Sequence, residues 1–295
     1  MATVSSTRAP SLVLGLVQLG RPRQWARNVL VAAVPIAAGT ILHPPVLVAT
    51  AWAFLAFSLA ASATYCLNDV LDADADSRHP IKRHRPVASG QVSRPQAVVA
   101  ALALATAAVA VSWPGSLRWV VVGYLAISTA YTVSLKHQPV LELALVSSGF
   151  LLRAIAGGAA TGTHISRWFL IVTGFASLFA VIGKRLSEVV SVGLEERTRS
   201  TLSAYTQSYL RMMLSISGGV TVTAYCLWAF GLGTAPDQGV YGGVSVVPLV
   251  LAMMRYTLDV DLGRAQEPEQ VVLHDHVLQA LAVIWFACFW MAAVT

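Results

Sequence analysis

Residues 46–67 read VLVATAWAFLAFSLAASATYCL, and residues 68–76 continue NDVLDADAD. The first stretch has no charged side chain over 22 residues. As a helix it rises about 33 Å, enough to cross ~30 Å of bilayer hydrocarbon. The second stretch places four carboxylates at the end of that helix. A span that ends in a charged cluster sets the fold class and marks the membrane face that carries chemistry.

The rest of the chain agrees. Its 295 residues are 56% hydrophobic and 12% charged, with mean hydropathy +0.66; soluble domains carry about 25% charge. Disorder is excluded, because few charges and much apolar side chain favour burial. A disulfide scaffold is excluded too: Cys66, Cys226 and Cys288 each lie in an apolar run, and three cysteines close no set of bridges. Further candidate spans are 26–42, 96–113, 117–135, 139–161, 167–184, 208–232, 243–258 and 273–294. The expectation is an all-α polytopic membrane protein of about nine transmembrane helices, forming one integral domain over 1–295. Residues 11–24 begin with a run too short to cross, flanked by arginines, and read as an interfacial segment.

With the N-terminus inside, seventeen Lys and Arg fall in inside segments. Only Arg118 and Arg167 fall outside, and Arg153 lies within a span. That bias orients the chain N-in and C-out. It makes the long loops 68–94 and 185–207 cytoplasmic and puts the site on the cytoplasmic face of a plasma (inner) membrane. The net charge of +6 then reads as topology and as attraction for anionic lipids or a phosphorylated substrate, not for nucleic acid.

If the second span continues as helix through the acidic cluster, Asp69, Asp72 and Asp76 share one face and Asp74 points elsewhere. Three clustered carboxylates repel one another, and a divalent cation relieves the repulsion. Oxygen-only ligands favour Mg2+, which keeps waters and shares substrate phosphates. The cations that follow, Lys82, Arg83 and Arg85, read either as membrane anchors or as phosphate ligands. Other inside ends carry Tyr131 and Lys136, and the trio Lys184, Arg185 and Glu188. Lys184 and Glu188 stand at helical spacing for an ion pair; the adjacent cations also suit an anion. Arg153 lies deep in a span, where a charge costs at least ~2.5 kcal/mol, so it should face a polar cavity or a partner on another helix. Arg21, Arg23, Gln24 and Arg27 surround Trp25 at an interface, fitting an aromatic belt or a lipid-phosphate site.

NDxxDxxxD at 68–76, with the basic stretch ending RPVASG at 85–90, resembles the first aspartate-rich motif of the UbiA-type membrane prenyltransferases. That resemblance implies nine helices around a cavity open to the cytoplasm, and a diphosphate held through Mg2+. Where typical members carry a second aspartate-rich motif, this chain has Gly183-Lys184-Arg185-Leu186-Ser187-Glu188. The departure, with RPRQWARN (21–28), LKHQ (135–138), LLRAIAGG (151–158) and AQEPE (265–269), resembles the branch that moves 5-phosphoribosyl from phosphoribosyl pyrophosphate (PRPP) to decaprenyl phosphate, a step towards cell-wall arabinan. The resemblance implies Asp69, Asp72 and Asp76 on Mg2+ and the departing pyrophosphate. Asn68, Lys82, Arg83, Arg85, Tyr131, Lys136, Arg153, Lys184, Arg185 and Glu188 would lie about the substrate. The rival readings are polyprenyl transfer to an aromatic acceptor and a transporter whose Arg153 lines the path. Exposed apolar helices suit both membrane lipid and a homo-oligomer.

Overall fold

The computed structural model describes residues 12–113, 115–191, 204–231 and 236–294. Among them the chain is helical throughout: α1 (Leu12–Leu19), a 3-10 segment (Pro22–Ala32), α2 (Ala33–Ala37), α3 (Pro44–Leu71), α4 (Ala73–Arg78), α5 (Arg94–Val111), α6 (Leu117–Val133), α7 (Leu141–Thr161), α8 (Arg167–Ser191), α9 (Gln207–Ala229), α10 (Pro236–Asp261), α11 (Pro268–His274) and α12 (His276–Val294). Seven of these helices are long and apolar enough to cross a membrane, and α6 is a shorter apolar helix of 17 residues. The protein is therefore a multi-pass membrane protein. Large apolar side chains such as Val99, Leu102, Trp119 and Val283 stand exposed on the helix faces, where lipid takes the place of protein packing.

One expected span is not a spanning helix. Residues 26–42 fold as the end of the 3-10 segment followed by the five-residue α2. Close packing accounts for the irregular backbone: a Cβ built on Gly157 of α7 would lie 1.9 Å from the Val31 carbonyl oxygen. Gly39, at φ +66°, then turns the chain against the Ala293 carbonyl. Gly157→Ala is expected to destabilise the protein by at least about 2 kcal/mol, since backbone is the obstacle and cannot rotate away. Thermal unfolding in detergent measures it as a lowered Tm.

The chain forms two compact units. The first comprises 1–29 and 52–133, the second 30–51 and 134–295. In the first, the inner face of α3 is lined by small residues, with Ala53, Ala56, Ser58, Ala60 and Ser62 all buried. Ser58 and Ser62, one helical turn apart, anchor the incoming 3-10 segment. Asn28 Nδ2 donates to Ser58 Oγ (3.1 Å), Trp25 Nε1 donates to Ser62 Oγ (3.1 Å), and Ser62 Oγ donates to the Gly20 carbonyl (2.8 Å). α5 starts on a capping box in which Ser93 and Gln96 satisfy each other's backbone N–H groups. In the second unit α8 packs on α7 and α9, and α10 on α12. Phe179, Ile182, Leu186, Leu210, Leu214 and Tyr256 form its buried apolar centre.

α8 is longer than its apolar run suggests. It continues to Ser191, so Arg185 and Glu188 are on a helix and not on a loop. Of the loop expected over 185–207, residues 192–203 lie outside the described residues.

Candidate active site

In the first unit the acidic cluster bends. α3 ends at Leu71, Asp72 sits between helices at φ −92° and ψ 0°, and α4 begins at Ala73. The backbone bonds Asp72 N to Asn68 O (2.9 Å) and Asp76 N to Asp72 O (2.8 Å) keep the helical register across the break. Asp69 and Asp76 are consequently both turned inward, at 2% and 4% exposure, while Asp72 is half-buried. Asp74 points outward to Arg94.

Two guanidinium groups meet the inward pair. Arg85 Nη1 lies 2.6 Å from Asp76 Oδ2 and 3.5 Å from Asp69 Oδ1, bridging the two carboxylates. Arg21 Nη2 donates to Asp69 Oδ1 at 2.5 Å, and its guanidinium lies 5.1 Å from the centre of the Tyr65 ring. Arg21 adopts φ +48°, an uncommon conformation for a side-chain-bearing residue. The serine anchors on α3 hold the flanking backbone that places it. The two buried carboxylates thus share the Arg85 guanidinium, and Asp69 has Arg21 as a second cation.

Among the described residues no three His, Cys, Asp or Glu side chains gather as a preformed metal cage. Mg2+ does not require one: it binds through one or two carboxylates and completes its octahedron with water and phosphate oxygens. The converging oxygens of Asp69 and Asp76 fit that habit.

Lys82 is half-buried, as are Asn68, Gln24, Arg27 and Tyr131, while Arg23 and Arg83 are exposed. Arg83 Nε faces His84 Nε2 at 3.3 Å.

The second unit carries a separate charged centre. Arg185, 6% exposed, forms a forked pair with Glu142, Nε to Oε1 at 2.9 Å and Nη2 to Oε2 at 2.8 Å. Its Nη1 donates to Glu188 Oε2 at 2.7 Å. Arg185 therefore directs donors from all three guanidinium nitrogens at carboxylates. Glu142 itself is 1% exposed; the sequence analysis does not single it out as the partner of Arg185. A lone acid in the first turn of an apolar helix was the available signal.

Glu142 is aimed by a strained turn. Leu141 N donates to Pro139 O at 2.8 Å, closing a γ-turn in which Val140 sits at φ +67° and ψ −50°. A β-branched residue rarely adopts that conformation. The Val140 N–H donates to the Tyr205 hydroxyl oxygen at 2.7 Å. Burial raises the pKa of Tyr205, with that hydrogen bond opposing. Lys136, in a 3-10 turn over Leu135–His137, precedes the γ-turn and is half-buried, and Lys184 is half-buried on α8. Arg153 is 5% exposed; its Nη1 donates to the Gly149 carbonyl at 2.6 Å, and its guanidinium lies 5.8 Å from the Phe150 ring centre.

Comparison with known proteins fits this layout. The chain is 46% identical over 296 residues to the decaprenyl-phosphate phosphoribosyltransferase of Mycobacterium tuberculosis, covering 95% of each chain. It is 41% identical to the enzyme of the same name from Corynebacterium glutamicum, covering 96% of this chain and 87% of that one. Among solved structures, a UbiA homolog from Archaeoglobus fulgidus bound to DMAPP and Mg2+ superposes with TM-score 0.72 at 17% identity, over 95% of this chain and 99% of that one. The model of the UbiA prenyltransferase family matches residues 29–281. On its fold, its aspartate-rich helix end and these matches, the chain belongs to the UbiA prenyltransferase family.

Proposed function

We propose that this protein transfers the 5-phosphoribosyl group from PRPP to decaprenyl phosphate, releasing pyrophosphate, with its N-terminus and active site on the cytoplasmic face. The observation that carries the reading is the identity of 41–46% to enzymes of that name across almost the whole chain. The charged centres support it.

The donor is a polyanion with a diphosphate at C1 and a phosphate at C5. Asp69, Asp72 and Asp76 are the residues to hold Mg2+, which would neutralise pyrophosphate as it leaves. Arg85 and Arg21 already neutralise the inward carboxylates; with phosphate present their donors are suited to its oxygens. The acceptor phosphate is ionised at neutral pH and needs no strong base. Its oxygen forms the new bond to C1 as the bond from C1 to pyrophosphate breaks and the electron pair leaves with pyrophosphate. Attack from the opposite face inverts C1. Positioning and stabilisation of developing charge supply the catalysis. Because Arg185 is committed to Glu142 and Glu188, it acts as a positioning residue within the second unit, where Lys136 and Lys184 are the cations suited to phosphate; within the first unit Lys82 and Arg83 have that chemistry.

Pyrophosphate release by protein in nanodiscs tests this reading. Release should require PRPP, decaprenyl phosphate and Mg2+ together, stop with EDTA and resume with excess Mg2+. Release that persists in EDTA would remove the metal from the account, and release without the lipid would remove the acceptor.

A further inference from the structure

A cavity of about 570 Å³ opens where α10, α11 and α12 meet, lined by Arg255, Asp259, Arg264, His274, Asp275 and His276 among others. None of these residues belongs to the charged centres described above. The cavity lies at the level where the spans Val240–Asp261 and His276–Val294 terminate, which is headgroup depth. Leu258, Leu262, Val272, Leu273 and Val277 stand exposed beside it, Leu273 at 69%.

Two features inside it ask for a ligand. Asp259 is 6% exposed, yet its Oδ2 is buried with no hydrogen-bond partner among the described residues. A buried carboxylate oxygen left without a donor is costly. Asp259 lines the cavity, and the torsion that swings its carboxylate is soft. The rim, in contrast, is basic. Arg264, His274 and His276 are exposed. Arg255 engages Asp275 through Nε at 2.7 Å, leaving its terminal nitrogens out of that bond. That pairing holds the Asp275 carboxyl below the usual carboxylate range, and Asp275 Oδ1 is occupied in capping α12 through the N–H groups of Val277 (2.8 Å) and Leu278 (3.1 Å). The carboxylate that still needs a donor is therefore Asp259. It lies beneath a rim that favours a phosphate.

We propose that this cavity binds the headgroup of a glycerophospholipid carrying a primary ammonium, with its phosphodiester at Arg264 and the rim histidines and its ammonium donating to Asp259 Oδ2. A primary ammonium offers three N–H donors and a positive charge; a quaternary choline offers the charge and no donor. The exposed leucines and valines at the rim take the first methylenes of the acyl chains. The site thus selects among membrane lipids by the donor that the headgroup offers.

Native mass spectrometry of the full chain, delipidated and then offered dioleoyl phosphatidylethanolamine, phosphatidylcholine or phosphatidylglycerol, tests the proposal. The wild type should retain the ethanolamine lipid about tenfold better than the choline lipid, as expected for one charge-assisted buried hydrogen bond. Asp259→Asn should reduce that preference to about twofold or less while leaving phosphatidylglycerol retention unchanged. Arg264→Gln alters an exposed side chain and leaves the packing intact; it should weaken retention of the ethanolamine and glycerol lipids alike, independently of how Asp259→Asn folds. Equal retention of ethanolamine and choline lipids by the wild type would overturn the proposal, as would a preference that survives Asp259→Asn or full retention in Arg264→Gln.

Discussion

Asp72→Asn should lower PRPP-dependent pyrophosphate release by roughly 10²–10³-fold, with the protein still inserted and monodisperse. Asp72 is the informative choice because it is half-buried at the break between α3 and α4. Asp76 would be a mixed probe. It is 4% exposed and its Oδ2 meets Arg85 Nη1 at 2.6 Å, so Asp76→Asn removes charge from a buried pair and alters stability together with turnover. Asp74 supplies the control. It is exposed and pairs with Arg94 at the surface, where such pairs contribute little, and Asp74→Asn should leave turnover within about twofold. A near-wild-type Asp72→Asn, or equal losses at positions 72 and 74, would sink the metal assignment and leave only a solvated acidic helix end.

The second large effect falls on stability. Glu142→Ala should cost about 3–5 kcal/mol, because it leaves Arg185 buried and stripped of its forked partner. Glu188 keeps one contact with the guanidinium but does not replace two parallel bonds. The double replacement Glu142→Leu with Arg185→Met should recover most of the lost stability, since matched apolar side chains avoid the desolvation that both charges bear. Thermal unfolding measures both. If Glu142→Ala melts like the wild type, the fork does not organise the α7–α8 contact. If the double variant is stable yet slow, the fork serves to position the neighbouring lysines.

The sequence and the structure agree where the physics is local. Apolar length predicts the spans from α3 to α12, since each must satisfy its own backbone in lipid. Helical spacing predicts that Asp69, Asp72 and Asp76 share a face and that Asp74 points elsewhere; Asp69 and Asp76 do turn inward together and Asp74 outward, while the break after Leu71 leaves Asp72 only half-buried. The misread span at 26–42 shows the limit. Its hydropathy is that of a helix, but Val31 must pass close to Gly157, and a contact between residues so far apart leaves no periodic mark. The lone acid Glu142 was visible in the sequence, but its pairing with Arg185 was not, for the same reason: the partners are 43 positions apart, and periodicity cannot say which helix a side chain will face. Arg21 was singled out beside Trp25 as a candidate for a lipid phosphate; its bond to Asp69 depends on where Ser58 and Ser62 seat the segment.

The most direct test of the proposed chemistry follows a label from the ribose of PRPP in nanodisc-embedded protein supplied with Mg2+ and decaprenyl phosphate. Parallel reactions supply decaprenyl diphosphate with 4-hydroxybenzoate. Label should move into the organic phase as an acid-labile lipid phosphodiester, in step with pyrophosphate release, and the aromatic acceptor should remain unprenylated. Prenylated 4-hydroxybenzoate with no labelled lipid, from protein shown to be folded, would return the chain to aromatic prenyl transfer and refute phosphoribosyl transfer.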